Sequence, residues 1–154
     1  MTLRRLFCLG ATLALVASLG AELASAEPRI ADAAMAKKLL GTHAITLQWL
    51  GTGTLRDAGK AVVAEKDGEW HLTGRQDAAE GFVEIDGIVT AIDGDSFAFT
   101  GRIITQVTHI NGGRACTRDG AFTFLKKGKR KYWRTQSIDN PCDLAADYVD
   151  LYLR

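Results

Sequence analysis

Nucleophilic, metal-binding and conformationally rigid residues are all scarce in this 154-residue chain, which holds two prolines, three cysteines and three histidines. After residue 26 the only serines are Ser96 and Ser137, and neither lies in the Gly-x-Ser-x-Gly motif of serine hydrolases. His43, His71 and His109 lack the spacing of metal ligands. We therefore expect neither an enzyme nor a bound metal or cofactor.

A long hydrophobic run is also lacking. The apolar segment at residues 6–20 carries no charge but is shorter than the ~20 residues that a membrane-spanning helix needs. Arg4 and Arg5 precede this segment, and an Ala-Ser-Ala cleavage site follows it at residues 24–26. The pattern predicts a bacterial Sec-type signal peptide over residues 1–26. The mature chain would start at Glu27 in the periplasm, or be secreted, without a membrane span.

The chain has no excess of either charge. Its formal net charge is +1, and residues 27–154 hold equal numbers of basic and acidic side chains. A balanced surface provides no general attraction for nucleic acid or for anionic membranes. We therefore expect no nucleic-acid partner, and any cationic tract is a local feature.

Two cysteines remain once the predicted signal peptide, with Cys8, has been removed. Cys116 and Cys142 lack the Cys-x-x-Cys spacing that is typical of metal and redox sites. An even number of cysteines in an exported domain predicts a disulfide. The chain-entropy model gives a bridge between these two positions a stabilisation of ~3.5 kcal/mol.

Helical periodicity is confined to the start of the mature chain. Residues 28–40 are rich in alanine, lysine and leucine, which favour a helix, and Gly41 can end it. From His43 onwards, short alternating runs are separated by turn sequences such as Asp67-Gly68 and Asp119-Gly120. The spacing predicts a single all-β domain over residues 27–154, with roughly eight to ten antiparallel strands in a barrel or a sandwich.

One long strand favours a barrel over a β-sandwich. Between Phe97 and Val107, every second residue is apolar or small, and a strand of this length curves most easily around a barrel. Gly87 and Gly101 mark places where a bend or bulge would be tolerated. A membrane barrel is disfavoured, because neither face of residues 131–137 is apolar. We therefore predict a water-soluble, up-and-down barrel.

The tetrapeptide Leu40-Gly41-Thr42-His43 opens the first predicted strand directly after the short helix. This order of elements resembles the calycin or lipocalin-like superfamily, which often opens with Gly-x-Trp, and His43 stands at the position of that Trp. The resemblance covers the layout of the mature chain and implies an up-and-down barrel with an internal cavity. It implies no particular ligand.

Large apolar side chains share the inward face of the predicted barrel. In a filled barrel they form the core, whereas in a hollow barrel they line a pocket for a small apolar ligand. Alternation alone leaves both interpretations open. The candidate pocket residues are Phe97, Phe99, Ile103, Phe122 and Phe124.

The most densely charged tract, around Gly128, is a second candidate site. It is either a contact for an anionic partner or a solvated hairpin tip that prevents edge pairing. Aromatic side chains predicted on the outer face nearby could contact the same partner. The candidate partner surface comprises Lys126, Lys127, Lys129, Arg130, Trp133, Tyr148 and Tyr152.

These features lead to three hypotheses about function. The first is an exported, non-enzymatic barrel that binds a small apolar or amphipathic ligand in its interior. The second is a protein-binding module, such as an inhibitor of a secreted hydrolase or an envelope accessory protein. The third is an envelope hydrolase, for which Glu84 and Asp86, on one face of a predicted strand, form the candidate carboxylate pair.

Overall fold

The structure, a computed structural model, describes residues 27–52 and 54–153, so the predicted signal peptide lies outside the described residues. A short helix, α1 (Ala33–Leu39), precedes the main strands, and a 3-10 helix (Asn111–Gly113) lies between two of them. The strands are β1 (Arg29–Ile30), β2 (Gly41–Leu47), β3 (Gly59–Lys66), β4 (Glu69–Ala78), β5 (Gly81–Ile92), β6 (Ser96–Val107), β7 (Cys116–Leu125), β8 (Tyr132–Thr135) and β9 (Val149–Tyr152).

Strands β2 to β9 form a closed barrel. Each strand pairs antiparallel with the next, and β9 returns to pair with β2, where Ile45 lies opposite Leu151. Closure satisfies the backbone groups that an open sheet would expose at its edges. The predicted all-β, up-and-down barrel is therefore confirmed, with β1 as an additional strand.

The helix is shorter than the sequence predicts. Asp32 caps its N-terminus, because the Asp32 carboxylate accepts a hydrogen bond from the Met35 N–H at 2.9 Å. Residues 29–30, predicted to be helical, instead form β1 and pair in parallel with the end of β5. Met35, Ala36 and Leu39 are buried. Since α1 runs directly into β2, these three side chains close the end of the barrel at which β2 begins.

Three glycines lie side by side across β5, β6 and β7. Gly87 is opposite Gly101, and Gly101 is opposite Gly120. A Cβ atom at Gly101 would lie 2.2 Å from a backbone oxygen of β5, and one at Gly87 would lie 2.6 Å from the Phe99 ring. Strands β5 and β6 therefore approach closely here, and the Phe99 ring lies beside Gly87 and Gly101. The irregularity in the pairing of β5 with β6 lies further along β5, between residues 89 and 91, and not at the two glycines where a bend or bulge would be tolerated.

The prediction of a turn at Asp119-Gly120 is wrong. Both residues lie inside β7, where Asp119 is opposite Arg102. Gly120 has a φ of 146°, which a residue with a side chain rarely adopts. Gly120 keeps its pairing with Gly101 of β6 in this conformation, so the positive φ does not reverse the chain.

Aromatic rings pack along the inward face of the barrel. Phe97 stacks on Phe124 with ring centroids 4.8 Å apart, and Phe99 lies 5.7 Å from Phe122. Trp133, predicted on the outer surface, is only 1% exposed and stands edge-on to Phe97. The prediction that Trp133 belongs to the partner surface is therefore wrong, because its side chain lies inside the barrel. The largest apolar side chain of β8 gains most from burial, and it extends the aromatic core.

Residues 137–147, here called the strap, cross the end of the barrel opposite α1. The strap connects β8 to β9, and the predicted disulfide between Cys116 and Cys142 is confirmed and ties the strap to the start of β7. On the other side, the Trp49 indole donates a hydrogen bond to the Ala146 carbonyl oxygen at 3.1 Å. The two cysteines are 26 residues apart in sequence, so the bridge closes a long loop and removes much of its freedom in the unfolded chain.

Candidate functional site

The cationic tract forms the hairpin tip between β7 and β8. The tip closes with a hydrogen bond from the Arg130 N–H to the Lys127 carbonyl oxygen at 3.3 Å. Lys126 is drawn back to the barrel by an ion pair with Asp95 at 2.8 Å. Lys127, Lys129 and Arg130 are exposed. Three of the four predicted tip cations therefore face solvent.

Two of these cations line a groove beside β8, here called the basic groove. Its volume is about 300 Å³, and it extends from the hairpin tip to Tyr148, the residue that follows the strap. The groove brings a predicted cation pair and a predicted aromatic side chain to one place. Its lining residues are Lys127, Arg130, Arg134, Thr135, Gln136, Ile138 and Tyr148.

Arg134 joins the aromatic and charged parts of the basic groove. Its Nε and Nη2 donate hydrogen bonds to the two carboxylate oxygens of Asp150 at 2.6 and 2.7 Å. Its guanidinium carbon lies 4.6 Å from the ring centroid of Tyr148 and 5.2 Å from that of Tyr132. Hydrogen bonding to Asp150 raises the pKa of Arg134 above its ordinary value. Arg134 is thus held in place, whereas Lys127 extends into solvent.

The two predicted outer tyrosines have different neighbours. Tyr148 lines the basic groove, whereas Tyr152 packs against Tyr132 with ring centroids 5.2 Å apart. Asp150 lies between them in sequence and is only 5% exposed, because Arg134 covers it. Of the predicted partner surface, the structure therefore unites Lys127, Arg130 and Tyr148.

The predicted ligand-pocket residues all lie in the barrel interior. Phe97, Phe99, Ile103 and Phe124 are at most 1% exposed, and Phe122 is 6% exposed. The four phenylalanine rings contact one another in the stacked pairs described above, and Ile103 belongs to the same buried cluster. They form a packed core in this structure.

A buried polar cluster at the strap end was not predicted from the sequence. Arg118 on β7 is 7% exposed and Asp147 in the strap is 1% exposed. The Oδ2 atom of Asp147 accepts hydrogen bonds from the Thr105 hydroxyl at 2.8 Å and the Asn140 amide at 3.2 Å. Burial lowers the pKa of Arg118, and the charge of Asp147 partly counteracts that shift.

The three histidines lie in separate places. His43 is buried, and its ring nitrogens lie 2.7 and 2.9 Å from two backbone carbonyl oxygens. His71 lies beside the Glu69 carboxylate at 3.5 Å, and His109 stands edge-on to Trp49. Among residues 27–52 and 54–153, no group of three or more His, Cys, Asp or Glu side chains could hold a metal ion.

The two carboxylates of the hydrolase hypothesis lie on the outer wall. Glu84 accepts a hydrogen bond from Arg75 at 2.5 Å, and Asp86 is opposite Arg102 across β5 and β6. Both carboxylates line a shallow groove of about 500 Å³ on the outside of the sheet. Each carboxylate thus has a cationic neighbour, and Glu84 is engaged in an ion pair.

Fold and site together define an eight-stranded, up-and-down β-barrel with a packed interior and a basic groove on its outer wall. No helix in the described part of the chain is both long enough and apolar enough to cross a membrane. The chain belongs to the PM1083 family, which matches residues 27–153.

One relative in this family is an uncharacterized protein, PM1083, of Pasteurella multocida (strain Pm70). The two chains are 42% identical over 121 residues, which cover 75% of this chain and 73% of the relative. No solved structure matches the chain. The resemblance to the calycin superfamily stays a prediction based on layout.

Proposed function

We propose that this chain is an exported, non-enzymatic β-barrel that binds an acidic segment of an envelope protein or secreted hydrolase in the basic groove. One observation carries the proposal: Lys127 and Arg130 concentrate positive charge beside Tyr148, in a chain whose net charge is only +1. Complementary charge steers a partner to such a patch and selects it over other proteins.

The aromatic residues of the basic groove favour a polypeptide over an anionic membrane. Tyrosine and arginine are enriched among the residues that dominate binding energy in protein interfaces. Here Arg134 lies against both Tyr132 and Tyr148, so an amphipathic surface is already in place before a partner arrives. A recessed groove receives the side chains of a peptide, whereas a flat membrane surface would meet a flat cationic face.

Charge reversal in the basic groove provides the test. We expect the double variant Lys127→Glu/Arg130→Glu to bind a fluorescent oligoglutamate peptide about tenfold or more weakly than the native chain. The reason is that two attractive charge pairs become repulsive, and each 1.4 kcal/mol corresponds to about a tenfold change in Kd. Fluorescence anisotropy at low ionic strength measures the affinity.

The matched control makes the same change of charge elsewhere. Lys60 and Lys66 are exposed residues of β3, which lies three strands away from β8 around the barrel. The variant Lys60→Glu/Lys66→Glu should retain most of the peptide affinity. Equal losses of peptide affinity in the two variants would mean that only the net charge of the protein matters. That result would contradict binding in the basic groove. Binding of a sulfated glycan without binding of the peptide would also contradict the proposal.

Export is part of the proposal and has a separate test. It is supported by the Cys116–Cys142 disulfide, which is typical of oxidising compartments, and by the start of the family match at residue 27. In a bacterial host we expect the protein in the periplasmic fraction, with an N-terminal sequence that begins at Glu27. Recovery from the cytoplasm with residues 1–26 still attached would contradict export.

Transport of a small apolar or amphipathic ligand has less support. Phe97 and Phe124 already stack on each other, and Phe99 and Phe122 do the same, so a ligand would have to displace a packed core. Native mass spectrometry that detected a co-purified small molecule would favour this function over the proposed one.

A further inference from the structure

The guanidinium group of Arg118 is buried with most of its hydrogen-bonding capacity unused. Its Nη1 donates a hydrogen bond to the Ser137 carbonyl oxygen at 2.8 Å. The Nε and Nη2 atoms have no hydrogen-bond partner within the described part of the chain, although the side chain is only 7% exposed. Buried donors in native proteins are almost always satisfied, either by the protein or by a bound molecule such as water, so these two donors mark a position where a small molecule can bind.

Arg134 shows what the same pair of atoms does when it is occupied. The Nε and Nη2 of Arg134 donate two hydrogen bonds to the Asp150 carboxylate, at 2.6 and 2.7 Å. Arginine presents these two donors side by side, in a fixed geometry that suits a planar acceptor. In Arg118 the equivalent donors also lie side by side, but they have no acceptor among the residues that the structure describes.

Asp147 offers an unused acceptor close to Arg118. Its Oδ2 atom already accepts hydrogen bonds from Thr105 and Asn140, whereas its Oδ1 atom is buried without a partner among the described residues. The Nη2 atom of Arg118 lies 3.7 Å from the Oδ2 atom of Asp147, a distance that is too long for a hydrogen bond. The cluster therefore combines two free donors, one free acceptor and no net charge.

We propose that Arg118 and Asp147 form a binding site for a small neutral molecule of the primary-amide type. Its carbonyl oxygen would accept hydrogen bonds from Nε and Nη2 of Arg118, and its N–H group would donate to Oδ1 of Asp147. An anion would be repelled by Asp147 and a cation by Arg118, so a neutral ligand with both an acceptor and a donor matches the site.

The site is built jointly by the barrel wall and the strap. Arg118 and Thr105 come from β7 and β6, whereas Asn140 and Asp147 belong to the strap. The disulfide at Cys116 fastens the strap two residues away from Arg118 along β7. This site lies on the inner face of the barrel and is independent of the basic groove and of the proposed function.

The test uses acetamide as the probe and the arginine Nε–H resonances in two-dimensional ¹H–¹⁵N NMR as the readout. On titration of the full chain, we expect the Arg118 resonance to shift and saturate, while that of Arg134 stays unchanged because Asp150 already occupies its donors. Acetate should cause no saturable shift, because it is anionic. N,N-dimethylacetamide should cause none either, because it has no N–H group to donate to Asp147.

Two variants separate the site from nonspecific effects. Arg118→Lys keeps the charge but removes the paired donors, so the saturable response of nearby backbone amides to acetamide should be lost. Arg102→Lys, at an arginine that is paired with Asp119 on the outer wall, should keep it. If Arg118→Lys does not fold, the native chain still provides the test, because acetamide should shift the Nε–H resonance of Arg118 and leave that of Arg134 unchanged.

Three results would overturn the proposal. The Arg118 resonance could stay unchanged on addition of acetamide, or acetate could cause an equal saturable shift. The Arg118 guanidinium group could also be in contact with a long-lived bound water that acetamide does not displace. These outcomes are distinct from failure of the proposed function. Binding of oligoglutamate depends on Lys127 and Arg130, and it should be unaffected in the Arg118→Lys variant.

Discussion

Replacement of Gly101 by alanine should lower the free energy of unfolding by about 3 kcal/mol, a large fraction of the stability of an ordinary domain. The added Cβ atom would lie 2.2 Å from the Asp86 carbonyl oxygen, 2.6 Å from the Gly87 Cα atom and 2.8 Å from the Phe99 ring. The two backbone atoms cannot retreat without separating β5 from β6, and that pairing is part of the barrel wall. Urea unfolding followed by tryptophan fluorescence measures the loss.

Gly94 provides the matched control for this substitution. It lies between β5 and β6, and a Cβ atom there would meet only the Asp32 carboxylate, at an ordinary contact distance of 3.5 Å. We expect the Gly94→Ala variant to unfold at nearly the same urea concentration as the native chain. Similar losses in both variants would mean that general loss of glycine flexibility, and not the close approach of two strands, explains the effect.

Alternation along the strands predicted the barrel because its physical cause is local. Side chains of a strand point alternately inward and outward, so a closed barrel imposes a two-residue period on every strand. Asp67-Gly68 was correctly predicted as a hairpin turn, with φ angles of 54° and 82°. Asp119-Gly120 has the same composition but lies in a strand. A turn dipeptide signals only that a positive φ is tolerated, and the pairing of Gly120 with Gly101 decides how it is used.

The basic groove could be predicted in part. Lys127 and Arg130 stand out from composition, since they belong to the densest cationic tract of the chain. The role of Arg134 could not be predicted, because it depends on its place opposite Asp150 in the pairing of β8 with β9. The strap separates these two strands in sequence, and no local signal sets the register across it.

The buried cluster at the strap end could have been found from alternation. Arg118 is an even number of residues from Phe122 and Phe124, so an unbroken strand places all three inside the barrel. A turn at residues 119–120 would divide that strand, and the inward direction of Arg118 would then not follow from that of the two phenylalanines. Asp147 likewise shares its inward direction with Val149.

Removal of the Asp147 carboxylate should have the other large effect on stability. In the Asp147→Ala variant, Arg118 would remain buried without its only charged neighbour in the cluster, and the Thr105 and Asn140 side chains would lose their acceptor. Loss of one partner from a buried ion pair costs about 3–5 kcal/mol, because the remaining charge is left uncompensated. Thermal unfolding monitored by circular dichroism should show a clearly lower Tm.

Two further variants test whether burial is the cause. Asp119→Ala removes the partner of Arg102 from an ion pair whose side chains are 55% and 60% exposed, so water replaces the lost carboxylate and the Tm should change little. The double variant Arg118→Met/Asp147→Leu removes both buried charges and should recover much of the stability lost in Asp147→Ala. If Asp119→Ala and Asp147→Ala lowered the Tm equally, the buried pair of Arg118 and Asp147 would contribute no more to stability than an exposed ion pair. The predicted effect of burial would then be wrong.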